Sequence, residues 1–560
     1  MCKQGFAIIK INIYEEMKLN ILVVIPARGG SKGIPRKNLR SLGGKPLIYY
    51  SIKTALASRF SPDVYVSSDD DEILSIALQI GAKSLKRDLS IAEDATTLDP
   101  VVYDAYMRIS QLEKKQYDFI ITLQPTSPLL ESTSLDEAIM KMLENRDLDT
   151  IIAAHDDTHL TWKKEDDDYV PNYSKRLNRQ FLIPIYKETG GFLLSRSSVV
   201  TKTNRIGKNV DLYLLEGGEN IDIDTYEDWN ICEYYLQRKK VLFVVSGYNE
   251  IGLGHVYNTL LIANDILNHH IEFLVDKQSA LAYKKIASQH YSVHMQQCDN
   301  IIDDIKRLSP QVVVNDRLNT EVPYMNALKG MNVKIINFED DGEAATLADM
   351  VVNAIYPEKV VKKHHYYGYK YFLLRDEFLL TEPRDLDDIV KNVLITFGGT
   401  DSHNYTLKVI KSIGQYCQDH AILISVVAGF GYQHYSTLES IYGIDVHKNS
   451  SNIARHMRNA DIVFTSAGRT TYEIASLQVP AIVMAQNERE LTHQYASSIY
   501  GFENLSLGYE VDESTILKTF IKLVENVDVR KAQRKKMSQL DLSQGRKRTL
   551  KLFNEVVEKS

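Results

Sequence analysis

Residues 25–39 read IPARGGSKGIPRKNL, an apolar stretch opening into a loop that holds Gly29, Gly30 and Gly33 among Arg28, Ser31, Lys32, Lys37 and Asn38. Glycines let backbone N–H groups approach phosphate oxygens, and the surrounding cations neutralise them. Arginine grips phosphate with a planar fork, lysine as a compact point charge. Glycines alone would mean only a turn; glycines and cations together predict a triphosphate seat. Far along the chain, residues 221–228 read IDIDTYED. Asp222 and Asp224 alternate, which on an extended strand puts both carboxylates on one face. Hard carboxylate oxygens facing a triphosphate suit Mg2+, which makes this pair a candidate metal ligand set; by themselves the two acids read equally as a solvated strand edge.

A second group of motifs lies in the later part of the chain. IGLGH (residues 251–255) follows an apolar run at the start of a predicted helix, bringing Gly252, Gly254 and His255 together. Backbone donors and the positive end of a helix dipole favour a phosphate or a developing anion there. ITFGGTD (395–401) supplies Gly398 and Gly399, TSAGRTTYE (465–473) supplies Ser466, Gly468, Thr470 and Glu473, and NERELTHQ (487–494) supplies Asn487 and Gln494. Read from its position alone, His255 is a residue that caps its helix.

These loops need rigid elements behind them. Short β-branched runs alternate with helical patterns throughout, which predicts α/β architecture with parallel sheets. Runs at 21–25, 64–67, 119–123 and 150–154 read as strands of a first unit, with helices at 71–79, 134–143 and 228–238. A fresh strand at 241–245 restarts the pattern, with further runs at 272–275, 311–314 and 333–337. A last set follows at 392–397, 422–428, 461–465 and 481–484. The reading is an N-terminal extension (1–16, with Met17 an alternative start), a first domain at 17–238, and a two-lobe domain at 239–560. The lobes divide near residue 385, with a cleft between them.

The chain has 560 residues, 44% hydrophobic and 25% charged, and a formal net charge of -7. That balance argues against nucleic-acid binding, which needs a basic surface, while leaving room for local cations at a nucleotide. Four scattered cysteines predict neither disulfides nor zinc, and a cytoplasmic setting. No apolar run is long enough for membrane insertion.

The first set of motifs resembles the CMP-N-acylneuraminate synthetases, the sialic-acid-type cytidylyltransferases. Besides the glycine loop, SSDD (67–70), Arg87, QPTSPL (124–129), NRQ (178–180), Pro184, Tyr186 and Gly190 follow in the family's order. The resemblance covers about residues 20–235 and implies a nucleotidyltransferase Rossmann-like fold, with CTP and a nine-carbon sugar acid of the sialic, legionaminic or pseudaminic type as substrates. It implies CTP contacts by Arg28, Gly29, Gly30, Ser31, Lys32, Asn38, Ser68, Asp69, Arg87 and Gln124. The sugar acid falls to Gln124, Thr126, Ser127, Arg179, Gln180 and Tyr186. Catalysis falls to Arg28 and Lys32 with the metal at Asp222 and Asp224, and a homo-oligomer is implied. Where the family has Glu-Asn-Gly, this chain has Glu188, Thr189 and Gly190.

The later motifs resemble the UDP-sugar hydrolases of the pseudaminic acid pathway and related spore-coat polysaccharide proteins, with the two-lobe GT-B (double Rossmann) fold, over about residues 241–500. That resemblance implies a UDP-linked amino sugar as ligand and His255 as the water activator. The family's arginine three residues past the histidine is Asn258 here, and Arg469 is a candidate replacement. Three readings stay open for this half: hydrolase, non-catalytic sugar-nucleotide binder, or glycosyltransferase.

Overall fold

The computed structural model describes residues 19–30, 33–93, 96–248, 251–357, 362–429, 431–448, 450, 452–493 and 495–558. The expected extension, Met17, Ser31, Lys32 and Gln494 lie outside them. The chain divides into two compact units, Met1–Arg238 and Lys239–Ser560.

The first unit is built on a seven-stranded sheet in the order Val210–Leu214, Thr150–Asp156, Tyr186–Arg196, Phe119–Thr122, Ile21–Pro26, Asp63–Ser68, Lys83–Lys86. Ile21–Pro26 is apolar because helices cover both faces of a parallel sheet. It runs parallel to both neighbours, Asp63–Ser68 and Phe119–Thr122. The expectation of an all-parallel sheet fails at Tyr186–Arg196, which pairs antiparallel on both sides. A bulge between Glu188 and Leu193 breaks its register, and there the Thr189 hydroxyl donates to the carbonyl of Ala153. Helix Asp71–Ile80 starts on the Asp70 carboxylate, which accepts from two backbone N–H groups, and stops at Gly81 with φ 115°. Such a cap is worth about 1 kcal/mol.

The second unit contains two fully parallel sheets. One has the order Ser292–Met295, His270–Val275, Lys240–Val245, Val312–Asp316, Lys334–Phe338, Met350–Asn353, His365–Tyr367. The other runs Ile444–Lys448, Leu423–Ala428, Asn392–Ile395, Ile462–Thr465, Ala481–Ala485, Phe502–Leu507. Numbered along each lobe, both begin 3-2-1-4-5-6, the Rossmann order, whose reversal opens a crevice beside the first strand. The two Rossmann-like lobes are those expected.

Their chain limits differ from expectation. The last helix, Gly545–Glu558, was expected in the second lobe, yet Phe553 and Val557 pack among Val241, Phe243 and Val256 of the first. Arg546 secures it with a forked pair to Asp265 at 2.5 Å on both arms. A Cβ on Gly545 would stand 2.2 Å from the carbonyl oxygen of Phe372, so no larger residue fits this return.

Candidate functional site

In the first unit the glycine loop leaves the end of Ile21–Pro26, at the point where the strand order reverses. The segment carrying the aspartates reaches it through a small apolar group. Ile34, just past the loop, packs with Ile223, between the two aspartates, together with Leu42 and Trp229. Residues 221–225 do not form the expected strand. They are irregular chain between the short turn Gly217–Asn220 and helix Tyr226–Gln237, whose Thr225 and Asp228 form a reciprocal cap. Burying Ile223 still leaves the flanking aspartates outside that apolar group.

Polar contacts finish the junction. Lys37 Nζ donates to the carbonyl of Ile223 at 2.6 Å and stands 3.5 Å from the Asp224 carboxylate. Buried Asn38 donates to the carbonyl of Arg28 at 2.9 Å, holding the loop's shape. A cavity of about 400 Å³ is lined by Arg28, Lys37, Asn38, Arg87, Gln124, Thr126 and Asp224 among others. Arg87 is buried and donates to the carbonyl of Ser67 at 2.7 Å. Burial lowers its pKa, partly offset by the charge of Asp69.

Other expected contacts have different employment. Asp69 accepts from the N–H of Gly29 at 3.0 Å, and Ser68 accepts from the N–H of Asp70 at 3.0 Å. Both shape the loop from behind, and with Gly29 and Gly30 they are not among the residues lining the cavity. Arg179, Gln180 and Tyr186 are exposed and do not line it either; a short turn, Arg179–Phe181, carries the first two outward. Arg179 donates to the carbonyl of Asp156 at 3.2 Å. Lys37 and Thr96 are lining residues that the assigned CTP set omitted.

Asp222 lies behind the cavity wall against Gly190. Its Oδ1, the Thr126 hydroxyl and the Ser127 hydroxyl are buried without hydrogen-bond partners. Burial raises the pKa of Asp222, the neighbouring Thr126 hydroxyl pulls it back, and the nearby charge of Asp224 adds to the rise. A buried carboxylate with an idle oxygen beside an exposed one suits a hard cation whose remaining ligands are phosphate and water. Among the described residues no cluster of three or more His, Cys, Asp or Glu forms a metal cage.

In the second unit, a cavity of about 720 Å³ lies where both sheets reverse order. Gly252, Gly254, His255, Gly398, Gly399, Ser466, Gly468, Thr470, Glu473 and Asn487 all line it. Gly252 and Gly398 have φ of 74° and 76°, a left-handed backbone that favours glycine. His255 opens into helix Gly254–Asp265, and its Nδ1–H donates to Asp316 Oδ1 at 2.5 Å. Nε2 is then the ring nitrogen left to take a proton. Asp316, at the end of Val312–Asp316, has no side-chain exposure. Glu473 is mostly buried and accepts from Arg375 Nε at 2.8 Å. Asn487 caps the short helix Glu488–Leu491 while lining the cavity. Asp316, Glu339 and Glu490 went unread; an acid at the end of a buried strand, as in VVVND, was the available signal for Asp316.

The cytidylyltransferase family model matches residues 22–200. The chain is 33% identical over 232 residues to the pseudaminic acid cytidylyltransferase of Campylobacter jejuni, covering 40% of this chain and 97% of that one. The chain belongs to the cytidylyltransferase family. A further similarity, 31% over 301 residues, is to an uncharacterized protein of Methanocaldococcus jannaschii, covering 49% of this cytidylyltransferase chain and spanning 62% of that relative's length. A third extends across both units. The Helicobacter pylori protein named pseudaminic acid cytidylyltransferase and UDP-2,4-diacetamido-2,4,6-trideoxy-β-L-altropyranose hydrolase is 23% identical over 541 residues, covering 92% of this chain and 96% of its own.

Proposed function

We propose that the first unit couples CMP to a nine-carbon sugar acid, the anomeric hydroxyl attacking the α-phosphorus of CTP and pyrophosphate leaving. The observation that carries this reading is the junction of Lys37 with Ile223 and Asp224, which brings the aspartate segment to the cationic loop, Asp224 lining their cavity and Asp222 behind its wall. Arg28, Lys37 and Arg87 gather positive charge where the phosphates would lie, and Gln124 and Thr126 line the same cavity. Mg2+ held by Asp222 and Asp224 would supply neutralising charge at the phosphates. The sugar class rests on the names of the Campylobacter and Helicobacter relatives and on the motif order. The test is pyrophosphate release with CTP, Mg2+ and a panel of sialic, legionaminic and pseudaminic acids. Release is expected only with all three components, and the paired change Asp222→Asn with Asp224→Asn is expected to abolish it. Full activity in that variant would sink the assignment.

A second reading concerns the other unit: hydrolysis of a UDP-linked amino sugar, with His255 taking a proton from water. The His255–Asp316 pair in the large cavity supports it, since a buried carboxylate fixes the ring as a base requires. The full chain is expected to release UDP from a UDP-linked diacetamido-trideoxy sugar, and His255→Ala to stop this while sparing CTP turnover. Transfer to an acceptor in place of hydrolysis would favour a glycosyltransferase, and no turnover at all a binding module.

A further inference from the structure

Behind His255 the hydrogen bonding continues past Asp316. Asp316 Oδ2 accepts from Asn258 Nδ2 at 2.5 Å, one helical turn beyond His255 on the same helix. Asn258 is buried, and its Oδ1 accepts from Arg469 Nη2 at 2.8 Å. Arg469 comes from the second lobe, 211 residues away in the chain. Its other arm stands 3.4 Å from Glu339 Oε1, and its guanidinium lies 4.6 Å from the centroid of the Phe372 ring. A buried amide with both ends engaged cannot rotate, so the Arg469 contact fixes which end of Asn258 faces Asp316. The carboxylate is thereby held between two donors, one of them the histidine.

We propose that Arg469 is a positioning residue for His255, acting across the two lobes through Asn258 and Asp316. It does not touch the reacting atoms. Its contribution is to keep the Asn258 amide oriented, so that Asp316 stays aimed at Nδ1 and the proton-accepting nitrogen stays Nε2. The proposal rests on the reading of His255 as the base for UDP-sugar hydrolysis. An arginine on this loop could instead grip the substrate diphosphate, and the two roles leave different kinetic traces.

The test uses the full chain with Arg469→Ala, Asn258→Ala and the double variant. Positioning predicts that each single change lowers kcat for UDP release by roughly 10-fold or more, with KM little altered. The double variant should be no worse than either single one, because one chain of contacts is being cut twice. Arg469→Lys, which keeps the charge and can still donate to Asn258, should recover part of the loss. A raised KM with unchanged kcat, or additive effects in the double variant, would overturn the proposal. If the unaltered protein releases no UDP, the hydrolase reading fails and a second measurement still decides this one. Nitrogen-15 spectra of labelled histidine, assigned with His255→Gln, should show His255 as a single Nδ1–H form in the parent and as an exchanging mixture in Arg469→Ala. An unchanged signal would overturn the proposal. Where an alanine variant fails to fold, Arg469→Met, which fills the space without a donor, and Asn258→Ser carry the same spectra.

Discussion

Lys37 and Asp224, 187 residues apart in the chain, stand 3.5 Å apart and both line the cavity of the first unit. The ammonium's shorter contact, 2.6 Å, is to the carbonyl of Ile223. A lysine spent mainly on a carbonyl retains its positive charge for a phosphate while tying two distant loops together.

Removing it should therefore harm both binding and turnover. Lys37→Ala is expected to lower kcat/KM for CTP on the order of 10–100-fold, about 1.4–2.7 kcal/mol of lost transition-state stabilisation. Steady-state pyrophosphate release against CTP concentration measures this. A change within twofold would mean that the contact to Ile223 is structural only.

Gly190 tests the placement of Asp222. A Cβ there would lie 2.8 Å from Asp222 Oδ1, 2.9 Å from the Thr126 hydroxyl and 3.0 Å from the Ser127 hydroxyl. Gly190→Ala should push Asp222 aside, raising the Mg2+ concentration needed for half-maximal activity while the fold survives. Metal titration of pyrophosphate release, with circular dichroism as the control, gives the answer; an unshifted titration would separate Asp222 from the metal.

Glu490 should make the second unit's stability depend on pH. Burial raises its pKa to about 7 from the ordinary 4.5, against backbone donors at Gln486 and Ala467 that pull it down. The folded form holds this proton more tightly, so its stabilising effect is full below pH 4.5 and is lost as pH rises through about 7. Glutamine can accept from the same two N–H groups without a charge. Glu490→Gln should thus be more stable than the parent at pH 8, on the order of 2–3 kcal/mol, and nearly equal at pH 4.5. Calorimetry at both pH values checks it, and a gap of equal size at each would contradict the burial argument.

Arg530 is fully buried, and its guanidinium donates to the carbonyls of Leu523, Val524, Asp387 and Asp388. Arg530→Met fills much of the space but abandons four acceptors, at an expected cost on the order of 3 kcal/mol or more. Calorimetric melting of the full chain should show the loss in the transition of the second unit alone.

Much of this architecture was legible because buried parallel strands are written as apolar β-branched runs, and all twelve runs noted in the sequence fall on strands. Tyr186–Arg196 was missed because its first half is exposed and polar, Tyr-Lys-Glu-Thr, and looks like loop. The glycine loops were legible through residue type, since the backbone at Gly252 and Gly398 excludes most alternatives. Asp316, Asn258 and Arg469 could be seen singly, but no spacing rule joins residues 211 positions apart. Long-range hydrogen bonding decides that site, and it has no local signature.

The return of Gly545–Glu558 to the first lobe means that the polypeptide bridges the lobes of the second unit twice, near residues 368–375 and again near 538–544. The two crossings lie side by side, since Gly545 of the second abuts the carbonyl of Phe372 in the first. Trimming the final helix would take from the first lobe both a wall of its core and the segment that packs beside the chain's earlier crossing.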